Sequence, residues 1–290
     1  MKALFHPADL VSIQARPHRL WTQSLGWVLF IAGIALYAQF SIARHKNNPE
    51  DRVVPSLHQL VEGIRTSALQ PAEEDDPLEA DASFYQHVRH SMLWKDTVAS
   101  GRRFLVALLL LVPAILLGLN MAIFPYAGSV FLRFVLFFDK IVALSLLPIL
   151  FIVFGIDEWS KIMLMVIGVA PTLILDTYNN ARGVPHEQIV KAFTLKSSNF
   201  DVAYRVVFKQ ILPQIINSVR LSLKPLALFL FSGEMIASSD GLAYRIGIMR
   251  RHMGMDIILP YLFWVALLLF LADAILRIAN RRLHPWYQPL

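Results

Sequence analysis

The chain has 290 residues, 56% hydrophobic and only 17% charged, with a mean hydropathy of +0.52. Soluble domains carry about 25% charged residues, so a soluble globular protein is excluded, and the blockwise apolar pattern marks an all-α, polytopic membrane protein. The lack of cysteine excludes disulfides and thiol chemistry, and the formal charge of +6, with no basic face interleaved with aromatics, points to a cytoplasmic membrane edge rather than to nucleic acid.

Residues 1–20, with Lys2, Arg16 and Arg19, read as a cytoplasmic N-terminus. Residues 21–40 form an uncharged run, about twice the length of a signal-peptide core and without a small-residue cleavage site, so a retained first transmembrane helix is expected. Residues 41–100 are expected outside the membrane. Within them, 53–64 (VVPSLHQLVEGI) has Pro55 and Ser56 opening a helix that sets Leu57, Leu60, Val61 and Ile64 on one face. The stretch 71–81 (PAEEDDPLEAD) reads as a solvated acidic loop. It is not a calcium loop, because no glycine sits at its turn and no glutamate closes the frame.

Five further apolar runs follow, at 104–125, 131–155, 162–175, 221–236 and 257–275. Crossing a bilayer takes ~20 helical residues, so the run at 162–175 must borrow turns from Trp159 and from 177–179. The run at 131–155 is interrupted by Arg133, Asp139 and Lys140. The polar segment 176–214 carries Arg182, Lys191, Lys196, Arg205 and Lys209, and the positive-inside rule places it in the cytoplasm. Six spans then put both ends inside, including a tail at 281–290 that follows Arg277 and carries Arg281 and Arg282. One loop runs against this parity: Arg245, Arg250 and Arg251 fall outside, where they read as a feature facing an anionic ligand or partner.

The segment 176–214 has its own helical pattern. Pro185 suits the first position of a helix, where no N–H is needed. Ile189, Ala192 and Phe193 then share a short apolar face. Ser197, Ser198 and Asn199 interrupt it, and Ser198 with Asp201 reads as a capping-box-like start for a second helix with Ala203, Val206 and Val207 buried. Pro213 is expected to stop or kink that helix. The result is a helix–turn–helix knob on the inner face.

Over 54–286 the chain resembles the transmembrane permease subunits of ATP-binding-cassette importers, in the nitrate, sulfonate, taurine and bicarbonate group. VPSLHQLVEGI is similar to that group's Leu-Pro-Ser-Pro opening, 146–184 to its third and fourth helices, and LADAILRIANRRLHPW to its last helix. The most specific match is 233–246, GEMIASSDGLAYRI, which follows the signature Ala-Glu-Met-Ile-Gly-Ala-Ser-Ser-Gly-Leu-Gly-Tyr. The knob corresponds to the coupling segment, Glu-Ala-Ala, three residues, then Gly. Here Val190, Lys191 and Ala192 occupy the Glu-Ala-Ala positions and Lys196 stands at the glycine, while Thr194, Leu195 and Ser198 agree. Phe208 and Lys209 replace a Leu-Pro, and Leu212-Pro213 fits the second proline.

The resemblance implies a type I importer permease fold in the bacterial cytoplasmic membrane, with a core at 101–280 and a small solute, an anion such as nitrate, sulfonate, taurine or bicarbonate. It implies a homodimer in lipid, ABC ATPase subunits inside and a solute-binding protein outside. It assigns ATPase coupling to Pro185, Glu187, Ile189, Val190, Lys191, Ala192, Phe193, Thr194, Leu195, Lys196 and Ser198. ATP-driven closure of the ATPase pair would rock such helices as rigid bodies. No G-x-x-x-x-G-K-[ST] occurs, so hydrolysis is expected on the partner and no enzyme activity here.

Ionisable residues at membrane depth mark pairs or pathways. Asp139 and Lys140 read either as an interface pair ahead of a late-starting span or as lining of the translocation path. Glu234 reads as a carboxylate paired inside the bundle or as a residue of the path, grouped with Ser238 and Ser239. Arg220 and Lys224 are expected to snorkel to the interface, and Asp273 to pair with Arg277 one turn on. No histidine spacing suits a metal, and Ser238 and Ser239 lack the partners of a nucleophile, so no cofactor, metal or catalytic residue is expected. The competing classes are an ATP-independent transporter or channel and a scaffold without transport. Repeated halves with broken helices would favour the former.

Overall fold

The computed structural model describes residues 19–47, 53–69 and 89–287, so the expected N-terminus before Arg19 and the acidic stretch 71–81 lie outside the described residues. Among those residues the secondary structure is helical, and two compact units cover 1–61 and 62–290.

In the first unit, α1 (Arg19–Asn47) covers the first apolar run. Tyr37 and Ser41 both donate to the carbonyl of Pro55, at 2.9 and 3.1 Å. The helix α2 (Leu57–Leu69) starts in this unit as the sequence indicates. Ser56 Oγ accepts from the Gln59 N–H at 3.2 Å while Gln59 Oε1 accepts from the Ser56 N–H at 2.8 Å, a complete capping box. Leu57, Val61 and Ile64 of the expected apolar face are exposed. In the second unit the far half of α2 packs instead through small residues: a Cβ on Gly63 would overlap the Asp256 carbonyl.

Among the described residues, five helices are long and apolar enough to cross a membrane, or six if one bent pair is a single span. The second span begins earlier than the apolar run at 104–125, since Ser91 caps α3 (Met92–Leu110) by accepting from the Trp94 N–H. It continues into α4 (Val112–Ile123), whose Pro113 sits in the first turn. The third run is two helices, α5 (Pro125–Asp139) and α6 (Leu147–Phe154), with a 3-10 turn before α6 and a bend of 85° between them. Gly155, at φ +77, ends α6 in a conformation that favours glycine. The helix α7 (Glu158–Arg182) takes turns from both flanks of 162–175, as its length requires.

The helix α8 (His186–Thr194) is the first arm of the knob. The second arm does not stop at Pro213. From Asn199 the chain passes through a π-helical stretch, Val202–Val207, directly into α9 (Phe208–Ala237), with Pro213 and Pro225 inside it. Pro213 removes only its own N–H from the ladder, and its carbonyl accepts from Asn280 Nδ2 at 2.9 Å. Last come α10 (Leu242–Arg251) and α11 (Met255–Leu283).

The core lies where α7 meets α3, α4 and α9, around Ala107, Leu111, Met165, Val169, Leu173, Leu226 and Leu230. In lipid no hydrophobic force draws helices together, so small residues that admit backbone contact do the joining. A Cβ on Gly118 would run into the Ile174 carbonyl, and one on Gly168 into the Phe229 ring.

Candidate functional site

Functional groups gather at three levels: the helix ends expected outside the membrane, the middle of the bundle, and the knob expected in the cytoplasm.

At the outer level, Arg103 of α3 is 2% exposed and Glu234 of α9 is 0% exposed. Arg103 Nη1 donates to Glu234 Oε1 at 2.7 Å and to the Asp240 carbonyl at 3.0 Å. Its other nitrogens pair with Glu158 and with the Asp240 carboxylate. Lys161 Nζ reaches Glu158 at 3.1 Å and Ser238 Oγ at 3.0 Å. The second Glu234 oxygen accepts from the Ala243 N–H at 3.0 Å, and Ser100 Oγ donates to Oε1 at 2.7 Å. Beside this cluster, buried Asp96 accepts from the Gly241 N–H, Arg245 Nε and Tyr261 O–H at 3.0–3.1 Å. Burial works against the Arg245 charge, but Asp96 outweighs it and lifts the guanidinium pKa above its ordinary value. Five helices are thus stitched together at one end.

This clamp explains the residues of 233–246. Glu234, Ser238 and Asp240 are its acceptors. A Cβ on Gly233 would meet the Lys161 stem at 3.3 Å, and one on Gly241, at φ +117, would lie 2.7 Å from Arg103 and Glu234. Glu234 therefore has the geometry of a carboxylate paired inside the bundle, not of an exposed wall, and Ser238 is drawn into the same network. Ser239 alone of the three is exposed. Arg245 also accounts for part of the basic outer loop, as an internal partner of Asp96. Arg103, Glu158, Lys161 and Asp96 are not singled out by the sequence, because they flank apolar runs instead of interrupting them.

Between the two ends of the bundle, Asp139 and Lys140 sit at the break between α5 and α6. Lys140 Nζ lies 3.0 Å from Asp139 Oδ2, and Thr172 Oγ1 of α7 donates to Asp139 Oδ1 at 3.1 Å. Toward the inner end Arg220 pairs with Asp273 at 2.9 Å, which corrects its expected snorkelling, and Arg277 pairs with the same carboxylate as expected.

At the inner level, Ala192 is buried against Leu119, Val184, Val202 and Ile211, with Ile189 packed alongside. Phe193 departs from the expected shared face and turns outward: Val190, Phe193 and Leu195 are 45, 45 and 81% exposed. Pro185, Glu187, Lys191, Thr194, Lys196 and Ser198 are also exposed. Ser198 Oγ accepts from the Asp201 N–H at 3.1 Å, as the spacing indicates.

The helix ends in a full Schellman motif. The Ser197 N–H bonds to the Ala192 carbonyl at 3.2 Å and the Lys196 N–H to that of Phe193 at 2.9 Å, with Lys196 at φ +60. This left-handed position is the one where the family's coupling segment has glycine. Lys196→Gly is expected to relieve about 1 kcal/mol of strain, read as roughly fivefold slower amide exchange in 185–198.

Residues 106–285 match the family described as the binding-protein-dependent transport system inner membrane component. The chain belongs to this family. Over 196 residues it is 28% identical to the taurine transport system permease protein TauC of Escherichia coli (strain K12), covering 67% of this chain and 71% of that one. Over 143 residues it is 29% identical to SsuC of Bacillus subtilis (strain 168), a permease protein assigned to aliphatic sulfonates transport, covering 49 and 52%. Among solved structures it is similar to the MetNI methionine ABC transporter in an inward-facing conformation, with a TM-score of 0.52, 16% identity and coverage of 68 and 95%. At that identity the likeness concerns the fold alone. The chain is thus an ABC importer permease, a multi-pass component of the cytoplasmic membrane. ATP hydrolysis lies with partner ATPase subunits, and a substrate-binding protein completes such a system.

Proposed function

We propose that two copies of this permease form the translocation path of a small sulfonate-like solute and take their drive through the helix at 185–198. The observation that carries this reading is the charged break at Asp139 and Lys140, an interruption that a lipid-facing span would not tolerate. Taurine and aliphatic sulfonates, named for two relatives, supply the chemical guide. The exposed Val190, Phe193 and Leu195 offer an apolar surface to an ATPase groove, while Ala192 anchors the helix to the bundle. Asp139 and Lys140 belong to the path, Ser239 to its outer mouth, and Glu234 with Ser238 to the clamp behind it. In this reading 21–40 is a first transmembrane helix, 41–100 an extracytoplasmic segment, 101–280 the permease core and 281–290 a cytoplasmic tail.

The test is reconstitution with the partner ATPase and binding protein, followed by uptake of labelled taurine. ATP-dependent uptake that disappears when the ATPase is omitted is the expected result. Uptake under an ion gradient without the ATPase would replace this reading with a stand-alone transporter. A failure to stimulate ATP hydrolysis with any small sulfonate would remove the solute class.

A further inference from the structure

The α5–α6 break brings polar groups from two helices together at membrane depth. Thr172, which binds Asp139, lies about 21 Å along α7 from Glu158 and about 15 Å from Arg182 at 1.5 Å per residue. The break therefore stands near mid-membrane. Its two charges differ in what they present: the Lys140 side chain is 78% exposed, that of Asp139 only 18%. Asp139 is held by Lys140 and Thr172, and the partly buried Asp176 lies beside Ser218 of α9. Both carboxylates thus have polar neighbours within the subunit, while the ammonium faces outward.

The same surface continues inward. Thr172, Asp176 and Asn179 follow i, i+4, i+7 spacing on α7, so they form one stripe toward the cytoplasmic end. Arg133, seven positions before Lys140, shares its side of α5 and is also exposed. An exposed ammonium and guanidinium at this depth are strongly disfavoured against lipid, so this surface adjoins water or a second subunit.

We infer that this stripe is the inner half of the path and that Lys140, followed by Arg133, receives the acid group of an anionic solute on its way to the cytoplasm. The inference rests on the path reading above and adds the residues that contact the solute's charged group and their order along the path. The 3.0 Å Asp139 partner has a role in this scheme. It competes for the Lys140 ammonium, which keeps the contact weak enough for the solute to leave, as a conduction site requires.

The test uses the complete lack of cysteine in the chain. Thr172→Cys, in the assembled importer in inside-out vesicles, is exposed to water-soluble thiosulfonate reagents, one anionic and one cationic. Both are expected to react, the anionic one faster, and Lys140→Gln is expected to lower the anionic-to-cationic rate ratio by about tenfold, as removal of one nearby unit charge from a partly aqueous site does. Lys140→Arg is expected to keep the ratio. No reaction with either reagent would overturn the aqueous path itself. Reaction with both at a ratio that Lys140→Gln leaves unchanged would overturn the anion contact and leave the path standing.

Discussion

Replacing Arg103 with methionine is expected to destabilise the permease by about 3–5 kcal/mol, the usual result of removing one partner from a buried ion cluster. Glu234 is fully buried and would lose the guanidinium that balances it, with only Ser100 and the Ala243 N–H remaining. Glu158 is half-exposed and water would take over much of its solvation, so the deficit falls chiefly on Glu234. In the purified complex this corresponds to an apparent unfolding midpoint lower by about 10 °C. Adding Glu234→Gln removes the stranded charge, and the double variant is expected to recover at least half of the loss. An Arg103→Met protein that unfolds like the unmodified one would contradict the clamp, and a double variant no better than the single one would place the cost elsewhere.

The second large effect is expected at the knob. Phe193→Asp puts a charge on the exposed rim of α8 without touching Ala192 or Ile189, so folding and membrane insertion should be unchanged. An aromatic anchor at the centre of an interface is typically worth 2 kcal/mol or more, so association with the ATPase is expected to weaken by about 30-fold. Co-purification with the ATPase and solute-stimulated ATP hydrolysis read this directly. Normal association would shift the contact to Val190 and Leu195, and loss of the folded protein would mean that the ring is a core residue after all. Ala192→Asp is the contrasting variant. Its side chain is buried, so it should fail by unfolding the knob rather than by weakening the partner contact.

These variants separate what was readable in one dimension from what was not. Length, hydropathy and charge sufficed for the membrane class, and the local pattern of 176–214 for its helix–turn–helix form, because periodicity and capping are local. Ser56 with Gln59 and Ser198 with Asp201 cap their helices as their spacing indicates. Lys196 was visible as a departure from a glycine, but its reason, a backbone at φ +60, is conformational. The sequence left open elements whose neighbours decide the outcome. Pro213 suggested a stop or a kink, and the helix continues to Ala237, since its packed flanks outweigh one missing N–H. The apolar positions of 53–64 marked one face of a helix, but not that Gly63 makes the close approach.

The clamp shows the division most plainly. The match at 233–246 was strong enough to suggest a family from the sequence, but nothing in the segment says why Gly233, Glu234, Ser238, Asp240 and Gly241 belong together. Their common partners, Arg103 and Lys161, stand roughly 70 to 140 positions away. At such a distance no local periodicity connects them. What the sequence determined by itself was therefore the solvent, a bilayer, and the helices that a bilayer requires, because every backbone polar group in hydrocarbon must be satisfied within its own segment. Only the tertiary structure decided which charges are paired inside the bundle and which stay exposed. A buried ion is tolerable only beside its counter-charge, so Glu234 is assigned to the clamp by its partners, while Lys140, exposed at its break, is the charge left for the proposed path.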